Sequence, residues 1–156
     1  MDQPLAGKTI AILVANGFEE TEMTEPQRAL LKTGATLKVL SPEQGLVNGW
    51  HGKAWGHYFP VDQQIAEVLA ADFDMLILPG GERSVAKLAA NPHIRRIVSS
   101  FMDGGKPVAA IDDGVSLLAV AQKVNIHDLD VGLVHANVVA RGKGPADFLV
   151  TAFIMD

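Results

Sequence analysis

Four short apolar runs, each followed by a stretch with helical features or a sharp turn, constrain this chain more than anything else in it. They are residues 8–15 (KTIAILVA), 36–40 (TLKVL), 75–78 (MLIL) and 108–111 (VAAI). Runs of this length, rich in β-branched residues and largely without polar alternation, read as strands buried on both faces, which is the pattern of a parallel sheet between helix layers. Between them, residues 19–33 read as a helix whose first turns are acidic, as the helix dipole favours. Pro26 marks a break or the first turn of a second segment, and Gly34 is the C-terminal stop. Residues 61–71 carry helical spacing in Val61, Ile65, Val68 and Leu69, and residues 84–90, 92–104 and 114–121 read as further helices. The order β-α-β-α-β-α-β-α implies an α/β fold with a parallel sheet covered on both sides. Residues 42–60, with two tryptophans, His51 and His57, are a loop or a hairpin. Residues 131–140 are one strand or a hairpin around Ala136-Asn137, residues 141–145 a tight loop, and residues 147–155 a short terminal helix.

The bulk properties narrow the functional classes. At 156 residues and 48% hydrophobic content the chain supports one domain, residues 1–156, with a substantial core. A net charge of −5 speaks against nucleic acid, which favours a basic face. No apolar run reaches the ~18 residues needed to span a bilayer. The start, Met1-Asp2-Gln3-Pro4, is polar and acidic, unlike a secretory signal, so the cytoplasm is the expected location. The absence of cysteine excludes disulfides, thiol catalysis and thiolate metal sites.

In sheets of this type ligands bind at the carboxyl ends of strands, near a switch in strand order. Residues 16–22, 79–83 and 112–113 occupy such positions. The last is the most pointed. A strand running directly into a helix makes an elbow, and elbows commonly carry a nucleophile. Here the elbow carries Asp112 and Asp113 instead.

Residues 10–22 (IAILVANGFEETE), 77–81 (ILPGG), 105–111 (GKPVAAI) and 141–147 (RGKGPAD) together resemble the ThiJ/PfpI family of the class I glutamine-amidotransferase-like superfamily. Residues 47–50 (VNGW) through 59–62 (FPVD) resemble its PfpI branch. The similarity is continuous over roughly residues 6–122 and resumes near residue 137. It implies a flavodoxin-like three-layer α/β sandwich, shortened in the C-terminal part relative to the family, and a homodimer or higher oligomer. It implies no cofactor. There are departures: active family members carry cysteine at the elbow, followed in the PfpI branch by histidine, where this chain has Asp112 and Asp113. Val115 follows the elbow Gly114 where proline is usual. The family's protease, glyoxalase and deglycase activities therefore do not transfer.

By position, the resemblance makes Glu22 the acid that faces the reactive group, with Glu19 beside it. The N–H groups at Gly80, Gly81 and the elbow, at Gly114, would form the oxyanion hole. Two carboxylates in hydrogen-bond contact do not both ionise cheaply, so Glu22 and Asp112 are expected to share a proton, with one apparent pKa raised. Asp112 also has the shape and charge of an oxidised, sulfinic cysteine, which a helix N-terminus would hold. The expected function is a non-enzymatic binding, regulatory or stress-related homologue with a small-molecule or anion ligand at the elbow. The alternatives are a degenerate site where Asp112 or Asp113 only caps its helix, a hydrolase or lyase using Asp112, Asp113 and Glu22 with water or a metal, and a structural module within a larger assembly. A metal reading would gather Glu19, Glu22, Asp112 and Asp113, with His51 or His57 adding a nitrogen. Trp50, Trp55, Tyr58 and Phe59 are expected to pack a loop or a subunit interface, His93 to be exposed at a helix start, and Ser116 to be a packing residue.

Overall fold

A computed structural model gives the fold and describes residues 3–120, 133–135 and 138–141. The chain runs β1 (Thr9–Leu13), β2 (Phe18–Glu19), α1 (Glu20–Leu31), β3 (Thr36–Ser41), β4 (Leu46–His51), β5 (Ala54–Pro60), β6 (Gln63–Gln64), β7 (Met75–Leu78), α2 (Glu82–Ala89), α3 (Pro92–Asp103), β8 (Val108–Ile111), α4 (Ser116–Val120), β9 (Leu133–His135) and β10 (Val138–Arg141). The main sheet has the order β6-β3-β1-β7-β8-β10-β9, with every neighbouring pair parallel except β10 and β9. From β1 the chain steps to β3 on one side and then crosses to β7 on the other. The switch in strand order therefore lies at the carboxyl ends of β1 and β7.

The unbroken apolar runs are explained by burial on both faces. Every residue of β7 and β8, and all of β1 after Thr9, is buried. Alternate side chains enter opposite cores, as the two-residue period of a strand demands. Ala11, Leu13, Leu76, Leu78, Val108 and Ala110 pack against Leu88 of α2, Ile97 and Phe101 of α3, and Leu117 of α4. Ile10, Ile12, Ile77, Ala109 and Ile111 pack against Met23 and Leu30 of α1 and Val47 of β4. Each fully buried large side chain contributes about 1.5–3 kcal/mol relative to exposure, so the three layers are held mainly by these two apolar faces.

Several elements differ from the reading of the sequence. Pro26 neither ends nor splits α1; it is buried inside the helix, which continues to Leu31. Its missing N–H costs one bond to the Glu22 carbonyl. Gly34 follows as expected, at φ +90°, with its N–H on the Leu31 carbonyl. Residues 61–71 are not a helix. The Asp62 carboxylate accepts from Val39 N–H while Asp62 N–H donates to the Val39 carbonyl, so the segment adds β6 to the sheet edge. Two single 3₁₀ turns follow, Ile65–Glu67 and Ala70–Asp72. Their carbonyls are satisfied from outside: Arg96 donates to Val68 and Ile65, and Lys106 donates to Ala70 and Phe73. Of the spaced residues Ile65 and Val68 are buried, Val61 is half-buried and Leu69 is 60% exposed, and cationic side chains add to the main-chain bonds on these carbonyls.

Residues 42–60 contain the β4–β5 hairpin, which β2 joins to form a second, three-stranded sheet. In the 131–140 region the strands β9 and β10 pair antiparallel, matching the hairpin alternative. The expected helix at 147–155 and the tight loop after Arg141 lie outside the described residues. Among the described residues no helix is long and apolar enough to cross a membrane.

Candidate functional site

Three segments meet at the carboxyl edge of the central strands: the turn after β1, the Pro79-Gly80-Gly81 turn after β7, and the elbow after β8. Backbone contacts lock them together. Glu19 N–H donates to the Gly80 carbonyl at 2.9 Å, and Gly80 N–H donates to Glu22 Oε1 at 2.8 Å. Both backbone groups of Gly80 thus serve the start of α1. Its N–H is already engaged by a carboxylate, so the expected role of Gly80 as an oxyanion donor does not fit this geometry.

The glycines here are required by space. A Cβ on Gly80 would sit 2.7 Å from Glu22 Oε1, 3.0 Å from the Ile111 carbonyl oxygen and 3.1 Å from Asp113 N. Gly81 has φ +111°, and a Cβ there would fall 2.4 Å from the Gly17 carbonyl oxygen. At Gly114 it would fall 2.1 Å from the Leu78 carbonyl oxygen. Absent side chains let three stretches of main chain touch.

The elbow itself is confirmed as a sharp strand-to-helix turn. β8 ends at Ile111, residues Asp112–Val115 make a 3₁₀ turn, and α4 follows. Asp112 has φ +50°, alone among the described non-glycine residues in having positive φ. That conformation costs an ordinary L-residue about 1–2 kcal/mol and is least unfavourable for Asp and Asn. Asp112 is half-buried and Asp113 exposed. Together with Glu82, Val85, Ala86, Ala89, Val115 and Ser116 they line an open groove of about 470 Å³ beside α2.

The expected pairing of Glu22 with Asp112 is not what the structure shows. Among the described residues no hydrogen bond joins them, and the Glu22 carboxylate reaches to Gly80 N–H instead. The capping alternative is not realised by the carboxylates either: no side-chain cap closes the 3₁₀ turn, and Ser116 Oγ donates to the Asp113 carbonyl. The grouping of Glu19, Glu22, Asp112 and Asp113 as metal ligands is corrected as well. Among the described residues no three or more His, Asp or Glu side chains come together as a metal site.

Two functional-looking residues escaped the sequence. Glu20, one residue from the expected acids, is buried at 7% exposure. Its carboxylate pairs with His57 Nδ1 and accepts from His57 N–H. Burial pushes the Glu20 pKa up, but the His57 side chain, the His57 N–H and the charges of His57 and His51 outweigh this and hold it below its ordinary value. Gly49 and Gly56 make room for the carboxylate, since a Cβ on Gly56 would overlap Glu20 Oε2. The pair therefore pins the β4–β5 hairpin to the first turn of α1. Gly56 directly before His57, with Gly49 on the paired strand, was the available signal. His93 is half-buried rather than exposed, with its N–H on Asn91 Oδ1.

The second is Arg83, in the first turn of α2. Its guanidinium lies 5.3 Å from the Trp50 ring and 5.6 Å from the Trp55 ring, which meet edge to face. The hairpin reaches this position because Asn16 Oδ1 accepts from Asn48 N–H, and Gly17 N–H donates to the Asn48 carbonyl. Trp50 and Trp55 thus border the site, while Phe59 packs on Phe18. A cleft of about 300 Å³ opens between Glu19, Trp50, Glu82, Arg83 and Asp113.

A doubly wound sheet whose elbow follows a central strand, faced by an acid-bearing first loop and a Gly-Gly turn, defines a class of α/β proteins with one site at the strand ends. The DJ-1/PfpI family model matches residues 8–141, and the chain belongs to that family. General stress protein 18 of Bacillus subtilis is 38% identical over 120 residues, covering 76% of this chain and 67% of its own length. Protein/nucleic acid deglycase 2 of Escherichia coli is 35% identical over 118 residues, covering 75% and 66%. The chain thus spans about two thirds of the length of these curated relatives. Among solved structures, a ThiJ/PfpI domain protein from Brachyspira murdochii superposes with a TM-score of 0.81 at 21% identity, covering 96% of this chain and 95% of its own. That likeness shows the fold, a flavodoxin-like α/β sandwich.

Proposed function

We propose that this protein is a DJ-1/PfpI family member that works by binding at its elbow, without turnover, in a regulatory or stress-related role. The observation that carries the reading is the elbow: its strained backbone is kept, yet its apex is the carboxylate of Asp112 and the chain holds no cysteine. A thiol nucleophile is therefore unavailable. The names of the relatives, a deglycase and a putative cysteine protease among them, describe those proteins and their own chemistry. A general stress protein among them supports the stress-related part. A Glu22–Asp112 acid–base dyad draws no support from the geometry, since among the described residues no hydrogen bond joins the two, and Glu22 Oε1 accepts from Gly80 N–H.

The test is turnover of α-ketoaldehyde, glycated-amine and peptide substrates by the wild type and by Asp112→Asn. Both are expected at the uncatalysed rate. Turnover by the wild type that disappears in Asp112→Asn would establish the alternative, a hydrolase or lyase using Asp112, Asp113 and Glu22 with water or a metal. The reading includes a homodimer of single-domain subunits in the cytoplasm. The exposed Leu46, Trp55 and Tyr58 on the hairpin supply apolar surface for association. Light scattering on the purified protein at several concentrations checks the oligomer.

A further inference from the structure

The β4–β5 hairpin is anchored at its base and bare at its tip. Val47 is fully buried and Phe59 packs on Phe18, whereas neither apolar core takes a described residue between 48 and 58. Residues 51–55 are all exposed. Base and tip are separated by an irregularity in the ladder between Asn48 and Trp50, with Gly49 on one strand and Gly56 on the other. Bulges and bare glycines are where a strand pair bends. The tip is braced as a unit: Trp50 Nε1 donates to the Gly52 carbonyl at 2.9 Å, and Trp50 and Trp55 meet edge to face. β2 pairs with β4 at Phe18–Gly49 and Glu19–Trp50, so a single rung ties the tip to β2 beyond the bend.

The buried Glu20 carboxylate sits at this bend. A Cβ on Gly49 would stand 3.1 Å from Glu20 Cβ, and one on Gly56 would overlap Glu20 Oε2. The carboxylate holds both the ring and the main chain of His57, the latter at 3.2 Å. We propose that residues 50–55 form a hinged flap, swinging about Gly49 and Gly56, and that the Glu20 carboxylate is the latch that holds it shut. Closed, Trp50 walls the cleft beside the elbow and Arg83 lies over both indoles. Open, the cleft loses that wall. Bonds to a charged acceptor are stronger than neutral ones, and burial keeps water from competing for them. The groups that face Glu20 from the hairpin are His57 and His51. Of its acidic neighbours on the first loop and α1, Glu22 reaches to Gly80 N–H and Glu19 lines the cleft. Burial pushes the Glu20 pKa up, but the bonds to His57 and the charges of His57 and His51 hold it below its ordinary value of 4.5. Protonating either histidine adds attraction, so release waits for Glu20 itself. The flap is independent of whether the elbow only binds or also turns over, and so goes beyond that reading.

The chain has no cysteine, so two can be introduced for spin labels, at Lys53 on the tip and Ala90 at the end of α2, both exposed. The full-length protein carrying Lys53→Cys and Ala90→Cys should give one narrow label-to-label distance at neutral pH. Adding Glu20→Ala should bring in a second, longer distance, because the tip swings away from Arg83 and α2. The ratio of open to closed forms should rise about tenfold or more, the factor expected for one lost bond to a charged group. An unchanged single distance in Glu20→Ala would overturn the proposal. If that variant proves unstable, acid titration of the labelled protein with Glu20 intact carries the test. The longer distance should then appear as pH falls below about 4.5, while far-ultraviolet circular dichroism is still native. Distance and circular dichroism changing together would overturn the flap, since the hairpin would be opening only with the whole fold.

Discussion

Gly81→Ala gives the sharpest test of how the site is assembled. Two penalties act at that position. The backbone stands at φ +111°, which an L-residue adopts at a cost of about 1–3 kcal/mol. A Cβ would also lie 2.4 Å from the Gly17 carbonyl oxygen, 2.7 Å from Phe18 Cα and 2.8 Å from Glu19 N. All three are main-chain atoms of the first loop, which no rotamer change can move aside. Forcing an extra methyl into such a contact costs about 1–3 kcal/mol. The sum, about 2–6 kcal/mol, is a large part of the 5–15 kcal/mol that stabilises an ordinary domain. Gly52→Ala is the matched control. It too has positive φ, +69°, but nothing lies within 4 Å of its built Cβ, so it carries only the backbone term. Urea unfolding followed by circular dichroism measures both. With a slope near 2 kcal/mol per molar, Gly81→Ala should lower the midpoint by roughly 1–3 M, and Gly52→Ala by about 0.5–1.5 M, in each case less than Gly81→Ala by the contact term. If the two variants lose the same stability, the contact between the Gly-Gly turn and the first loop is not tight, and the account of the site as main chain packed on main chain fails.

Other outcomes follow from single contacts. Ser84→Ala removes the buried hydroxyl that accepts from Ala15 N–H at 2.9 Å, and should cost about 1–3 kcal/mol in unfolding experiments because the amide is left unsatisfied. Asp112→Gly should match or exceed wild-type stability by relieving φ +50°, whereas Asp112→Val should lose about 1–2 kcal/mol; a stable Asp112→Val would argue against strain at the elbow. The Glu20 pKa is lower folded than unfolded, so its stabilisation is full above the ordinary carboxylate value of 4.5 and is lost as pH falls through the folded value. Thermal melts between neutral pH and pH about 3 should therefore show a steeper acid decline for wild type than for Glu20→Gln.

What the sequence made legible follows from how each element is stabilised. Strands β1, β7 and β8 were readable because burial on both faces leaves only apolar residues, and the three site loops followed from the strand ends. Residues 61–71 misled because Ile65 and Val68 of their apolar spacing serve the core while their carbonyls are bonded by Arg96 and Lys106, far along the chain. Glu22 lies in the first turn of α1 and accepts from the Gly80 main-chain amide, a contact that no side-chain pattern announces. Glu20 and Arg83 were missed for a related reason. Each acts through the β4–β5 hairpin, and nothing local to residues 20 or 83 says that His57 or Trp50 will arrive there.

The elbow's shape owes nothing to the side chain it displays. Gly80, Gly81 and Gly114 let main chain seat on main chain, and the strands behind them carry the packing energy. Position 112 is thereby a socket whose backbone is set by its neighbours: an acid or amide suits φ +50° best, and other side chains add about 1–2 kcal/mol of strain. A fold wired this way can change trade by a single codon, and its members' occupations are to be read from what sits in the socket more than from ancestry.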